Sequence, residues 1–537
     1  MTGLPWDSIL RRAFIALGAL VVGTVSVFSQ QKIEVPASRF FIDPTLEQLT
    51  VAEVGPLSIS GLEFKLGFEF GPAFPKRVRD SKSRYLTFLI YEKLLALDAQ
   101  RRGLDQWPDV KRQIAEIQAD LATEELYKQD VLGKVHVTDR QLTRSMEEAK
   151  VNLTLQWIYC RSASEVDDVV REIKAGVPFD SLFVRQFEGG VTRVDRSVET
   201  TVFRLRMKNP FFAVIVDSID AGTVSLPVHG PDGWYIVRMA GRWTNPIVTQ
   251  SDQAKLQEDV HRALTQHVAD SLSDRYVRNL IGSKNPVIER EQFNAIQAFL
   301  ASKFLIREKV EEWKIDSRTG AKELEDVSNL ESIADKTLVE AKTGNLVVRD
   351  FLEWYRMREP YVKMELASPR AFLQSTEELV WRMVRDRLLT REAYARGFQN
   401  MKSVKQQTHW WKEKMLYTAN KNRIADTIVD SLELVRKYYD EHKRSFQDEK
   451  GVAKPFETVY DDVKQQYYSS ELTKRLLHEI LRLKQMYGVT TNESALERIE
   501  VDEQDNPKTI DVYAVKTKGI YPRMAFPSID YYWQSWD

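Results

Sequence analysis

Two stretches of the chain place apolar residues at the spacing of three and four that is typical of an amphipathic helix. The first stretch has Leu86, Leu89, Ile90, Leu94 and Leu97, and the second has Leu379, Met383, Val384 and Leu388. A glycine follows each stretch, Gly103 in the first and Gly397 in the second, where a helix commonly ends in a left-handed cap. Long charged helices are predicted after both glycines, over 110–132 and 402–430.

These two stretches belong to a longer internal repeat. One series of residues recurs later at a constant offset: Leu94-Leu95, Ala99, Gly103 and Val110 match Leu388-Leu389, Ala393, Gly397 and Val404. Upstream, 55–62 and 344–351 each have the pattern of a short strand, a turn and the start of a helix. The sequence therefore predicts a duplicated helical unit. Amphipathic helices in an open arrangement leave a groove between them.

Between the two copies, residues 151–243 change to a different periodicity. The opening segment alternates as a strand does, with large residues at Leu153, Leu155, Trp157 and Tyr159. The next segment has the apolar face of a helix, with Val166, Val169, Val170 and Ile173. A turn at Gly176 and two strand-like segments at 225–228 and 234–237 complete a compact β-α-β module.

Composition and charge exclude several classes of protein. The 537 residues are 43% hydrophobic, which suits roughly three or four folded domains and not a disordered chain. Lys and Arg total 77 against 78 for Asp and Glu, so no net field gathers the phosphates of a nucleic acid. We therefore expect no nucleic-acid partner. The one cysteine, Cys160, permits no intrachain disulfide and is expected to be buried and inert.

The N-terminus has the pattern of an export signal. Arg11 and Arg12 precede an apolar run over 13–28, and small and polar residues follow at Ser29 and Gln30. This run is shorter than the roughly 20 residues of a membrane span, which favours a signal peptide over 1–29. An uncleaved anchor in the inner membrane is the alternative.

The sequence offers no chemistry for a metal or a cofactor. Its seven histidines form no His-Glu-x-x-His motif and no Cys/His cluster. Gly189-Gly190 alone does not make a phosphate loop, and a Gly-x-Ser-x-Gly elbow is missing. We therefore predict no metal site, no cofactor and no serine hydrolase.

The module at 151–243 resembles the parvulin family of prolyl isomerases in a series of blocks that follow the family's order. These blocks are 173–182 (Ile-Lys-Ala-Gly-Val-Pro-Phe-Asp-Ser-Leu), Gln186-Phe187 with Gly189-Gly190, 207–211 (Met-Lys-Asn-Pro-Phe), 221–228 and 233–237. The duplicated helices resemble the N-terminal chaperone domain of the periplasmic chaperone SurA and its relatives. The segment 455–489 is similar to the one that closes such chains.

The resemblance implies an α+β, mainly helical fold with two SurA-like helical units and one parvulin-like β-α-β module between them. The expected segments after the signal peptide are a first helical unit (33–150), the parvulin-like domain (151–243), a helical connection (244–300), a second helical unit (301–445), a closing helical segment (446–500) and an extended aromatic tail (501–537).

Parvulins hold a twisted X-Pro bond in an apolar pocket beside two histidines and an Asp or Cys. By the resemblance, Met207 and Phe211 stand at pocket positions, while Trp157 and Tyr235 occupy the two histidine positions. Only Glu188 remains where the Asp or Cys would stand. An indole only donates a hydrogen bond and a phenol titrates near about 10, so neither reproduces an imidazole pair. We expect a pocket for proline or aromatic peptide, weak or absent catalysis, and no catalytic residue.

The resemblance implies an exported folding chaperone, a holdase that binds unfolded envelope or secreted polypeptides through its helical units. The periplasm is the expected location, and assembly of outer-membrane proteins is the expected setting. One alternative is an active peptidyl-prolyl cis-trans isomerase (rotamase) in which another group replaces the histidines. A second alternative is a fixed structural subunit of an envelope secretion or assembly complex, docked through the aromatic tail.

Overall fold

The computed structural model describes residues 44–187, 191–230, 232–245, 249–315, 330–501 and 526–536. Helices dominate this part of the chain, and its paired strands form three small antiparallel sheets. The predicted fold class, α+β and mainly helical, is therefore confirmed. In the ranges given, no helix is long and apolar enough to cross a membrane. The predicted signal peptide, and Glu188 to Gly190 of the parvulin-like module, lie outside the described residues.

The helices of the described ranges are α1 (Pro44–Gln48), α2 (Gly61–Glu69), α3 (Ser81–Arg101), α4 (Pro108–Asp130), α5 (Asp139–Lys150), α6 (Ala163–Lys174), α7 (Phe179–Arg185), α8 (Val202–Lys208), α9 (Pro210–Val216), α10 (Gln250–Lys284), α11 (Arg290–Phe304), α12 (Arg307–Glu312), α13 (Val348–Arg358), α14 (Pro369–Ala395), α15 (Lys402–Ala425), α16 (Leu432–Glu441), α17 (Tyr460–Tyr487) and α18 (Glu493–Arg498). The strands are β1 (Thr50–Val54), β2 (Leu57–Ser60), β3 (Val151–Cys160), β4 (Ser197–Thr201), β5 (Val228–His229), β6 (Trp234–Thr244), β7 (Val287–Ile288), β8 (Thr337–Glu340), β9 (Leu346–Val347) and β10 (Val489–Thr491).

The described residues fall into two compact units, one with 130–276 and the other with 44–129 and the residues from 277 onward. The first unit contains the parvulin-like module, whose sheet has the strand order β4-β3-β6-β5. Helices α6 and α7 pack on one face of this sheet, and α8 and α9 cover the other. Successive side chains of β3 point to opposite faces, so this one strand contributes to both apolar cores.

The second unit contains both helical copies, and their long helices pair crosswise. α3 of the first copy packs against α15 of the second, where Asn420 donates its Nδ2–H to the Leu95 carbonyl oxygen at 2.8 Å. α4 of the first copy meets α14 of the second, where the hydroxyl oxygens of Thr123 and Thr390 are 3.3 Å apart. Each copy therefore buries its apolar helix faces against the other copy.

The closing part of the second unit joins its beginning. α17 packs on α3, and β10 pairs with β1 in the sheet of strand order β10-β1-β2. The other sheet of this unit has the order β7-β8-β9. The first and last strands of the described ranges are thus neighbours, although most of the chain separates them.

Both predicted glycine caps are confirmed. Gly103 follows α3 with a φ of 75°, and Gly397 follows α14 with a φ of 78°. Glycine is favoured in this left-handed region because it has no Cβ to collide with the backbone. The strand-to-helix patterns predicted at 55–62 and 344–351 are also present, as β2 followed by α2 and β9 followed by α13.

The aromatic tail predicted at 501–537 is described at Val501 and over 526–536. Its end is not extended: Tyr531–Trp536 forms a 3-10 helix, and Trp533 is fully buried in the core of the second unit. A large ring gains more free energy from such burial than from lying on a surface. The described end of the tail is therefore inserted into the fold. The rest of the tail lies outside the described residues.

Candidate functional site

The candidate site lies on the face of the parvulin-like sheet that α8 and α9 cover. On β3, Leu153, Leu155 and Trp157 belong to the core on this face, whereas Ile158 and Cys160 belong to the core on the opposite face. Trp157 is 7% exposed. An indole therefore fills the core at the position where the family resemblance places the first histidine.

The break between α8 and α9 brings two phenylalanines against the sheet. Asn209 caps α9 by accepting the Phe212 backbone N–H on its Oδ1 at 3.2 Å, and Pro210 occupies the first turn. Both are favoured at a helix start, because a side-chain oxygen satisfies a free N–H there and proline has none to satisfy. The new helix begins in a direction that presents Phe211 and Phe212 to the strands.

Five rings form a continuous aromatic cluster, which consists of Trp157, Tyr159, Phe211, Phe212 and Tyr235. The Tyr235 ring is central, with its centroid 5.3 Å from Phe211, 5.6 Å from Phe212 and 5.4 Å from Tyr159. Phe212 extends the cluster to Trp157, with centroids 4.9 Å apart. Edge-to-face and tilted pairs of this kind stabilise by roughly 0.5–1.5 kcal/mol beyond the area that they bury. The structure thus brings together three of the predicted pocket residues: Trp157, Phe211 and Tyr235.

Met207, the fourth predicted pocket residue, lies elsewhere. It packs against the cluster of Phe203, Val260 and Leu264, which joins α8 to α10. The physical reason is the helix break, because α8 ends at Lys208 and Met207 therefore does not share a helix face with the rings of α9. The structure assigns Met207 to packing between helices, and the placement predicted for it with the other three is corrected.

Two phenols supply hydroxyl groups to the aromatic cluster. Tyr235 donates its hydroxyl to Oδ1 of Asp232 at 2.6 Å, and Tyr159 donates its hydroxyl to the Asp232 carbonyl oxygen, also at 2.6 Å. Burial raises the pKa of both tyrosines, and the neighbouring Asp232 carboxylate raises it further. Both phenols therefore stay protonated at neutral pH, where an imidazole pair would titrate.

The loop before β6 is fitted to the central ring of the cluster. A Cβ at Gly230 would lie 2.6 Å from Cε2 of Tyr235 and 3.2 Å from Cζ of Phe211, so no larger residue fits at this position. The Gly230 N–H donates to the Gly233 carbonyl oxygen at 2.7 Å and closes the loop. The position of this loop consequently depends on the Tyr235 ring.

Tyr159, Phe212 and Asp232 were not predicted as site residues from the sequence. Tyr159 stands directly opposite Tyr235 in the pairing of β3 with β6. The alternation of β3 already places Tyr159 on the face of Trp157, so this signal could have identified it. Phe212 and Asp232 had no such signal, because their placement depends on the cap of α9 and on the loop before β6.

Cys160 lies on the other face of the sheet and is buried, as predicted. Burial raises the pKa of its thiol to about 11, so little reactive thiolate exists at neutral pH. Among the residues that the structure describes, no three His, Cys, Asp or Glu side chains are grouped as a metal site would require.

Solved structures that are similar to this chain are prolyl isomerases and SurA-like chaperones. The peptidylprolyl isomerase PrsA from Bacillus anthracis is 13% identical, and the match covers 36% of this chain and 96% of that one with a TM-score of 0.20. A chain from the structures of PEB4 and the periplasmic protein Cj1289, SurA-like chaperones of Campylobacter jejuni, is 15% identical, with 44% and 97% covered and a TM-score of 0.21. The foldase protein PrsA from Streptococcus pneumoniae is 15% identical, with 42% and 91% covered and a TM-score of 0.21.

No family model and no curated protein matches the sequence. Identities and TM-scores of this size define no activity for the chain.

Proposed function

We propose that the protein is an exported holdase of the SurA/parvulin type, which binds unfolded envelope or secreted polypeptides and does not accelerate proline isomerisation. The aromatic cluster is the observation that supports this proposal most directly. A buried indole, Trp157, and a hydrogen-bonded phenol, Tyr235, stand where the resemblance places the two histidines. Ring surface is kept, while the groups that would titrate near neutral pH are replaced.

The parvulin-like module also has apolar surface that a peptide could cover. Phe211 and Tyr235 are only partly buried in the cluster, and Leu226, two residues before β5, is 84% exposed. Full burial of one such side chain is worth roughly 1.5–3 kcal/mol. One or two contacts of this size would give weak and reversible binding, as a holdase needs.

The helical unit exposes apolar side chains as well. On α17, Leu477 is 42% and Leu481 is 53% exposed, and their spacing of four residues places them on one face. Leu432, the first residue of α16, is 60% exposed, and Val429, three residues before it, is 62% exposed. These side chains supply the second surface of the proposal, on the helical unit itself.

Export to the periplasm is part of the proposal and rests on the predicted signal peptide, with an inner-membrane anchor as the alternative for the same segment. The alternative of a fixed assembly subunit requires the aromatic tail to be free for docking. The described end of that tail gives it no support, because Trp533 is buried in the core of its own chain.

Two measurements on one sample of the full chain test the proposal. The first is the suppression of aggregation of an unfolded outer-membrane protein, and the second is the cis-trans isomerisation rate of a proline peptide. We expect suppression of aggregation and an isomerisation rate equal to that in buffer. A clear acceleration of isomerisation would show that the protein is a catalyst, against the proposal. A lack of any effect on aggregation would overturn the holdase function. A single stoichiometric partner in a pull-down would favour the fixed subunit.

Matched substitutions locate the client surface. The pair Leu477→Ser and Leu481→Ser should weaken suppression several-fold, since it removes apolar side chains from one face of α17. The control pair is Val287→Ser and Ile306→Ser, which are 50% and 64% exposed in the same unit. Equal losses for the two pairs would contradict a defined surface on α17. A chain that lacks 151–243 measures the share of the parvulin-like module.

A further inference from the structure

The two helical copies each bury one tryptophan against an equivalent carboxylate, but the two tryptophans come from different parts of the chain. In the second copy, Trp354 of α13 donates its Nε1–H to Oδ2 of Asp386 at 2.8 Å. In the first copy, Trp533 of the chain end donates its Nε1–H to Oε1 of Glu92 at 2.9 Å. Glu92 and Asp386 are equivalent because each lies two residues before the leucine pair of the repeat.

The residue of the first copy that is equivalent to Trp354 is Gly67. Each lies seven residues after the N-cap residue of its helix, Ser60 for α2 and Val347 for α13. Stacked rings with centroids 5.8 Å apart occupy matching places on the two helices, Phe64–Phe68 and Phe351–Tyr355. The first copy therefore has a glycine where the second has its buried tryptophan.

Gly67 on α2 and Gly71, two residues after its end, have no side chains and so leave a narrow groove, here called the lane. The chain end lies in this lane. Ser528 donates its hydroxyl to the Gly67 carbonyl oxygen at 2.7 Å. A Cβ at Gly67 would lie 3.3 Å from the Pro527 carbonyl oxygen, and a Cβ at Gly71 would lie 2.2 Å from Oγ of Ser528. The residue equivalent to Gly71 on α13 is the buried Arg358. In the second copy, the side chains of Trp354 and Arg358 therefore fill the space that the chain end fills in the first copy.

Polar contacts fix the chain end in this lane. Glu92 accepts the Asp530 backbone N–H at 2.7 Å in addition to the indole of Trp533. Asp530 forms an ion pair with Lys421 and accepts the Tyr417 hydroxyl at 3.0 Å. Glu92 is 4% exposed, so loss of the segment would remove two hydrogen bonds from a buried carboxylate.

We propose that the first helical copy contains a peptide-binding groove whose ligand is the C-terminal segment 526–536 of this chain. Gly67 and Gly71 form its floor, and Glu92 and Lys421 recognise the ligand through a tryptophan indole and an aspartate three residues before it. Phe88 stacks on the tryptophan, with ring centroids 5.5 Å apart and planes at 13°. The groove is distinct from the client surfaces described above, and its test is independent of them.

The experiment uses the full chain with Trp533→Ala and a fluorescent peptide of the sequence 526–536. The substitution weakens the contacts that hold segment 526–536 of the variant in the groove, so the added peptide should bind this variant saturably. The peptide should bind the unaltered chain at least about tenfold more weakly. The control is the same peptide with alanine in place of Trp533, and it should not bind. Circular dichroism verifies that the variant is folded. Absence of binding to a folded variant, or equal binding to both chains, would overturn the proposal.

A second variant tests the groove from within the full chain. Gly67→Trp with Tyr85→Leu gives the first copy the residues of the second, Trp354 and Leu379, and removes the Tyr85 hydroxyl that would lie 2.5 Å from the new Cβ. The segment should then be displaced and cut by protease at 526–536. Gly282→Trp on α10, where a Cβ meets nothing within 4 Å, is the matched control. Resistance of this segment to protease in a folded Gly67 variant would contradict the proposal.

Discussion

The two helical copies bury charged groups at equivalent positions and balance them with different cations. In the first copy, Lys93 forms ion pairs with Glu63 and Glu413, and Lys414 donates to both carboxylate oxygens of Glu92 at 2.8 and 2.9 Å. All five side chains are buried. The first copy thus uses lysines, one of them supplied by α15 of the other copy.

The second copy uses arginines at related places. Arg387, equivalent to Lys93 in the repeat, pairs with Glu116. Arg358 of α13 donates to both carboxylate oxygens of Asp120 at 2.8 and 2.9 Å, and its guanidinium lies over the Trp354 ring with the Cζ atom 5.0 Å from the centroid. Asp120 on α4 is equivalent to Lys414 on α15. The helix that packs against the second copy therefore has an acidic residue where the helix that packs against the first copy has a basic one.

This difference explains how the first copy makes room for the chain end. In the second copy a cation on α13 lies between two acids, Asp120 and Asp386, and occupies the lane. In the first copy the equivalent cation, Lys414, lies on the partner helix α15, and Gly71 occupies the position equivalent to Arg358. Charge balance is conserved, while the space beside the helix becomes available to Trp533. One buried network thus tolerates two arrangements, because its cation can come from either helix.

The largest expected effect comes from the two tryptophans. Trp533→Ala and Trp354→Ala should each lower the free energy of unfolding by roughly 3–5 kcal/mol through the cavity, and by about 1–3 kcal/mol more through the unpaired carboxylate. Denaturant midpoints of the two variants measure this loss. Similar losses would sharpen the equivalence of the copies. A negligible loss for Trp533→Ala alone would break it, because the chain end would then lie outside the cooperative core.

The cations come next. Lys414→Met and Arg358→Met should each cost about 3–5 kcal/mol, because each leaves a buried carboxylate without its partner. Lys402→Met is the control, since the Lys402 side chain is 80% exposed in its ion pair with Glu47 and such pairs contribute about 0–1 kcal/mol. The same unfolding titration applies. Equal small losses for the buried and the exposed pairs would contradict the stabilising role of the network.

One carboxyl group in each of the two buried networks, Glu63 beside Lys93 and Asp120 beside Arg358, is expected to titrate near neutral pH. Burial raises the pKa of Glu63 from 4.5 to about 7 and that of Asp120 from 3.8 to about 7, and Lys93 and Arg358 offset this only in part. In the folded state these groups hold protons that the unfolded chain has already released. Stability should therefore fall, by on the order of 1–3 kcal/mol for each group, as the pH rises from about 4 to about 7.

Matched amide substitutions separate the lysine network from the arginine network in this pH range. Glu63→Gln and Asp120→Asn should each flatten part of the decline between about pH 5 and about pH 7.5, and the double variant should flatten most of it. Denaturant midpoints at both pH values give the result. If only one substitution flattens the profile, the lysine and arginine networks differ in how strongly they hold the charged carboxylate. An unchanged slope in the double variant would assign the pH dependence to other groups.

Local periodicity accounts for much of what the sequence predicted. The alternation of β3, the helical repeat and the caps at Gly103 and Gly397 all follow from spacing along the chain. Crosswise pairing of the copies and the insertion of Trp533 did not follow, because the indole and its Glu92 partner are 441 residues apart. Periodicity specifies which face of an element is apolar and not which distant element covers it.

The candidate site shows the same division. Trp157, Phe211 and Tyr235 were predicted from family blocks. Pairing of β3 with β6 brings Trp157 and Tyr235 together, and the cap of α9 at Asn209 brings Phe211 against Tyr235. Met207 was misplaced with them because the blocks carry no information on the helix break at Asn209. Resemblance therefore located both residues on the sheet, but only Phe211 of the two residues that flank the helix break.

The smallest expected effect concerns the two glycine caps. Gly103→Ala and Gly397→Ala should each cost about 1–2 kcal/mol, because both residues have a left-handed φ while a Cβ at either would meet nothing within 4 Å. Gly282→Ala inside α10 is the control, and it should be neutral or stabilise by about 0.5–1 kcal/mol since its φ is helical. Thermal midpoints of the three variants suffice. Backbone strain from the left-handed φ is the only term that differs from the control. Unequal losses of stability at the two caps would therefore show that the copies hold their helix ends with different rigidity. The repeat would then be equivalent in its core and not at its turns.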